Sequence, residues 1–261
     1  MESGVVGYQQ IDVNNGYSFR TVTFKNITQT EFDLTEIVPL HADGTPFGES
    51  ILDWCMGNVM VRKIDAEGAY GTPYSYYSLT DYGAGWSSDG GDTIIGKNVM
   101  KLKAGEGVII YCDCADLEDN PQDAKLQVSG EVVLAPRAEY LPGYSFGGNF
   151  TPVAIDLTQI IPQRWDADEN KWVDFGESLF DWCMGNVMIR KINAEGAYGT
   201  PYSFYSLTDF GPGWSTDGGD TIVSANVLKF APGEGFILYN DYADLEETPL
   251  NVALKLPAPI K

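Results

Sequence analysis

Asp53-Trp54-Cys55-Met56-Gly57-Asn58-Val59-Met60 is followed 128 residues later by Asp181-Trp182-Cys183-Met184-Gly185-Asn186-Val187-Met188. The match runs without a gap from Glu49–Glu118 to Glu177–Glu246, where 51 of 70 positions are identical. Self-similarity at that level means that the chain is two copies of one unit. At 261 residues, each copy has the length of an ordinary domain. Upstream, Gly16-Tyr17-Ser18-Phe19 recurs as Gly143-Tyr144-Ser145-Phe146, and Asp33–Pro39 recurs as Asp156–Pro162. Ser3–Tyr8 aligns more loosely with Ser129–Leu134, which gives copy one as 1–128 and copy two as 129–261. No Pro/Gly/Ser-rich linker lies between them, so the copies are expected to pack together about a pseudo-two-fold or screw axis.

Within each copy the patterning reads as strands. Tyr17–Phe24 alternates aromatic or branched residues with polar ones, as a half-buried strand does. Val108–Cys112 is apolar throughout and follows the turn Lys103-Ala104-Gly105-Glu106-Gly107; its twin Phe236–Asn240 follows an equivalent turn. Both suit central strands. Ala124–Val128 and Val252–Leu256 alternate and close each copy. Helical signal is confined to one turn near Asp33–Ile37. The expected fold is all-β, two tandem homologous β-sandwich (or flattened barrel) domains of about seven or eight short strands each. An insertion in copy two, Trp165–Lys171, marks a surface hairpin tip.

Thirty-seven acidic residues against 16 basic ones give a formal charge of −21. Such a polyanion repels nucleic acid and anionic lipid, which are bound by clustered Lys and Arg. No apolar run approaches the ~20 residues that span a bilayer. The start, Met1-Glu2-Ser3-Gly4, has no basic or apolar signal region. The expectation is an extracellular or cell-surface protein from which a signal peptide has been removed.

His41 is the only histidine and has no twin, which excludes a His-based triad repeated in both copies. No catalytic residue is assigned. A carboxylate-pair glycosidase ranks last, because acids such as Asp53, Asp113 and Asp116 recur everywhere in so acidic a chain. Ser87-Ser88-Asp89-Gly90-Gly91-Asp92-Thr93 and its twin offer Asp89, Asp92, Asp217 and Asp220 as calcium ligands, although the same residues also make an Asp-Gly turn. Trp86 and Trp214, in turn-rich stretches, are the expected exposed aromatics, with Tyr74, Tyr77, Tyr202 and Tyr205 beside them as a sugar-stacking or interface set. Cys55 and Cys183 are equivalent, whereas Cys112 and Cys114 exist only in copy one, so free buried thiols are expected. Asn26-Ile27-Thr28 fits the glycosylation pattern.

The order of a Gly-Tyr strand, the Gly-Tyr-Ser-Phe strand, Asp-Leu-Thr-x-Ile-x-Pro, a Gly-Trp turn (Gly85-Trp86, Gly213-Trp214) and a Gly-Glu-Gly hairpin resembles secreted, repeat-containing β proteins of unknown function from Verrucomicrobia-like bacteria. That resemblance implies an extracellular or envelope location and supplies no catalytic residue. Two roles are expected: a non-catalytic structural protein that self-associates, or a bivalent, calcium-assisted carbohydrate-binding protein using Trp86 and Trp214.

Overall fold

The computed structural model describes residues 6–25, 31–50, 53–65, 67–116, 118–178, 181–193, 195–243 and 248–259. The Asn26-Ile27-Thr28 sequon lies outside them. Regular structure among the described residues is antiparallel β, apart from the single 3-10 turns Leu34–Glu36 and Leu157–Gln159. Each turn is capped by the aspartate of the Asp-Leu-Thr motif. Asp33 accepts from the Thr35 amide and Asp156 from the Thr158 amide, with Glu36 and Gln159 returning the bond. The second oxygens of Asp33 and Asp156 accept from the Asn98 and Asn226 amides, which ties each turn to a distant loop.

Most strands fall into two sheets per copy. One sheet of copy one orders Gly16–Thr21, Gly107–Cys112, Met56–Arg62, Tyr74–Tyr77 and Gly85–Ser87. Its twin orders Gly143–Gly148, Gly235–Asn240, Met184–Arg190, Tyr202–Tyr205 and Gly213–Ser215. These are the inner sheets. The outer sheet of copy one is built on Ala124–Val132, flanked by Val6–Val13 on one side and by Val38–His41 and Phe24–Lys25 on the other. The outer sheet of copy two orders Arg137–Tyr140, Val252–Lys255, Ile161–Asp166 and Lys171–Asp174.

Three apolar clusters separate the four sheets. Ile11, Val61, Ile110 and Leu126 share one in copy one; Ile189, Leu238, Val252 and Leu254 share its twin in copy two. Phe19, Ile109, Phe146 and Ile237 form the third, between the two inner sheets. Neighbouring residues on a strand face opposite ways. Ile110 therefore points into the copy-one core while Ile109 points to copy two. An inner sheet covered on both faces explains why Val108–Cys112 has no polar position.

The contacts between copies are reciprocal, as a two-fold relation requires. Glu106 bridges to Gly147 and Arg20 to Glu234; Gly68 lies against Tyr144 and Gly196 against Tyr17. Glycine is needed where the backbones meet. A Cβ on Gly107 would sit 2.7 Å from the Gly147 carbonyl oxygen, and one on Gly235 would sit 2.8 Å from the Phe19 carbonyl carbon.

Two expectations need adjusting. The boundary placed at 128 lies inside a strand, because Tyr8, Gly7 and Val6 pair with Ser129, Gly130 and Glu131. Ser129–Val132 thus completes the copy-one sheet, and the first strand of copy two is Arg137–Tyr140. The described residues form 22 strands, eleven in each copy, where about seven or eight were expected from alternation. The extra ones include Phe24–Lys25 and Ile155–Asp156, two residues each and too short to show a period.

Candidate functional site

Trp86 and Trp214 are not exposed: each is 1% accessible and belongs to a core cluster. Each is the middle residue of a three-residue edge strand whose alternation turns it inward, packed edge-on to Tyr76 or Phe204 at 5.4 Å. Their indole N–H groups donate to the Ile37 and Ile160 carbonyls at 3.0 and 2.9 Å. A sugar ring has no face to stack on. Tyr74 and Tyr202 pack half-buried against the same cores, while Tyr77 and Tyr205 rest over Gly57 and Gly91 or Gly185 and Gly219. The six aromatics do not form one platform.

In the Asp-Gly-Gly-Asp loops the first aspartate is held by the loop itself, and Asp92 and Asp220 are exposed. Asp89 accepts from the Ser87 hydroxyl, the Thr93 amide and the Thr93 hydroxyl, and Asp217 repeats the pattern with Ser215 and Thr221. Those donors hold Asp89 down at about 2, the Ser87 hydroxyl contributing most, and Asp217 at about 2, with Thr221 foremost. Asp89 and Asp217 thus direct their oxygens at the loop's own donors. Among the described residues no three His, Cys, Asp or Glu side chains are grouped to hold a metal ion.

The four cysteines are buried and unbonded. Burial pushes the Cys55 and Cys183 thiols up to about 11 and about 12. A hydrogen bond from Cys114 lowers Cys112 and raises Cys114 itself. The raised thiols have a definite consequence. An unfolded thiol ionises near pH ~8.5, so the native state holds more protons than the unfolded state from there up to pH 11–12. Stability is complete below that range and is lost across it, on the order of 3–5 kcal/mol for each of Cys55 and Cys183. Tyr140, whose buried phenol is also raised, adds with the same sign. Urea unfolding at pH 8 and pH 11 is expected to show the loss, and Cys55→Ala with Cys183→Ala to reduce it. An unchanged difference in the double variant would contradict this assignment.

A cleft of about 660 Å³ opens in copy one, where the sequence reading placed no site. Phe47, Trp54 and His41 supply its aromatic surface, and the buried Cys114 lies beneath. Six aspartates surround it: Asp43, Asp53, Asp113, Asp116, Asp119 and Asp123. Its described lining contains no lysine or arginine. Local donors fix the carboxylates. Asp53 accepts from Ser50, Asp113 from the Asn58 amide at 3.2 Å, and Asp123 from the Asn15 amide at 2.7 Å. Asp43 and Asp116 are both held below the ordinary range, by the Thr45 hydroxyl and the Asn120 side chain first. The His41 ring lies 4.1 Å from Phe47, and its Nε2 lies 3.2 Å from the Asp53 carbonyl oxygen.

Copy two carries different residues at several equivalent positions. Tyr242 replaces Cys114 and packs its ring edge-on to Phe175, the twin of Phe47, at 4.8 Å. Arg164 stands where His41 does and lies 3.7 Å from Asp181, the twin of Asp53. A ring and a guanidinium thus stand where copy one has a thiol and an imidazole. The readable signal was the coincidence of Cys114/Tyr242 with an untwinned His41, two departures from the repeat that meet only in space. No family model matches the chain, and no curated protein or solved structure matches it.

Proposed function

We propose that the protein is a non-catalytic binding protein whose copy one takes a small organic polycation and whose copy two is the supporting counterpart. The carrying observation is the cleft of copy one, ringed by six aspartates and without lysine or arginine in its described lining, where copy two places Tyr242 and Arg164 at the positions of Cys114 and His41. Carboxylates around a concave, partly apolar surface concentrate cations. The faces of Trp54 and Phe47 add cation–π attraction of about 0.5–2 kcal/mol. Asp43 and Asp116 are held below the ordinary carboxylate range. That suits a display of charge and not proton transfer at neutral pH.

In this reading each copy is a β-sandwich, its outer and inner sheets closing on one apolar cluster. Self-association into a surface layer or filament is the weaker reading. The face that would propagate a repeat, around Phe19, Ile109, Phe146 and Ile237, is already closed within the chain.

Calorimetric titration with spermine at low salt tests the proposal. Binding is expected for the native chain, weakening as salt rises. Cys114→Tyr introduces the copy-two residue, so it is expected to fold and to weaken binding at least tenfold, about 1.4 kcal/mol. Asp53→Asn with Asp113→Asn should weaken it comparably. Native protein that binds spermine no better than Cys114→Tyr would overturn the assignment.

A further inference from the structure

We infer that the solvent-side face of the copy-two outer sheet binds the pyranose rings of a polysaccharide, at a site separate from the cleft. Alternation turns Tyr140, Val252 and Leu254 into the core, so the residues between them face away from it. Register then lines up Glu139, Ala253, Gln163 and Asp174 in one row across all four strands. Trp165 and Trp172 lie opposite each other in the next row of the same face. Their rings are 5.5 Å apart at 72°, and Trp165 is 45% exposed. The ends of the first row, Glu139 and Asp174, are exposed, while Ala253 and Gln163 between them are 0% and 3% accessible. The middle of the row is thus covered, between two exposed carboxylates and beside the tryptophans.

The polar groups suit hydroxyls. Gln163 Nε2 donates to Asp174 Oδ1 at 2.6 Å, and Asn251 Nδ2 donates to Glu139 Oε1 at 2.7 Å. Gln163 Oε1 is buried and has no hydrogen-bond partner. A buried amide oxygen without a donor is costly, and the fold does not demand it, because copy one places the buried Leu40 at this position. A sugar hydroxyl donates to such an oxygen while accepting from a neighbouring amide, and a pyranose C–H face lies against an indole. Copy one lacks the set: Lys125 occupies the place of Ala253, and Ala42 that of Trp165.

The full chain is to be run through native gels containing soluble β-glucan, mannan or xylan, and then applied to a glycan array. Retardation by at least one polysaccharide is expected. Gln163→Leu and Ala253→Lys introduce the copy-one residues and should each weaken binding at least tenfold with an unchanged circular dichroism spectrum. Trp172→Ala should abolish it, and Cys114→Tyr, which closes the cleft, should leave it intact. Absence of any retained glycan would overturn the inference. So would glycan binding that survives Gln163→Leu, Ala253→Lys and Trp172→Ala alike.

Discussion

Trp86→Ala is expected to destabilise the protein by about 3–5 kcal/mol, and Trp214→Ala by about the same. Three losses combine. The indole leaves a void in a core cluster that includes Val61, Ile110 and Leu126. Its edge-on contact with Tyr76 goes, and the Ile37 carbonyl that accepted its N–H is left unpaired at the end of the 3-10 turn. A chain of this size loses roughly 2–4 °C of midpoint per kcal/mol, so a fall of about 10 °C is expected. Trp86→Phe keeps most of the volume and loses the hydrogen bond, with an expected cost of about 1–2 kcal/mol. Urea titrations of the three variants measure this. A loss below about 1 kcal/mol for Trp86→Ala would mean that the indole does not fill the core.

The second large effect lies between the copies. Phe19→Ala and Phe146→Ala should each cost about 3–4 kcal/mol, since both rings are buried and meet edge-on at 5.2 Å. The double variant should cost less than the sum, because the two rings share one contact. It should also weaken the coupling between copies, so that calorimetry resolves two transitions in place of one. Strict additivity with a single unaltered transition would show that the copies do not communicate through this cluster. Gly107 and Gly235 reinforce the point: where backbones approach this closely, any side chain forces the sheets apart.

The cleft and the sugar face were hidden from a linear reading for related reasons. Asp53, Asp113 and Asp116 looked like three more acids in an acidic chain, and His41 like a turn residue. They become a site because Val38–His41 pairs with Ala124–Val132, which brings the His41 turn beside the segment that follows Cys112. Gln163 and Asp174 are eleven residues apart and meet across a hairpin whose tip was read only as an insertion. Trp86 was misplaced because Gly85 and Ser87 look like turn residues. Gly85 is small because Ile94 lies where its Cβ would be.

The sequence by itself determined the duplication, the all-β character and the single helical turn near Asp33–Ile37. All three follow from local chemistry and from identity at a constant spacing. The tertiary structure decided which aromatics are inside, where copy one ends and which acids gather around the cleft of copy one. Alternation names two faces of a strand but not what covers them. An inner sheet is covered on one face by its own copy and on the other by its twin, so the burial of Phe19 or Ile109 is a property of the pair. The residues that meet at the cleft are likewise set by pairing between segments distant in the chain.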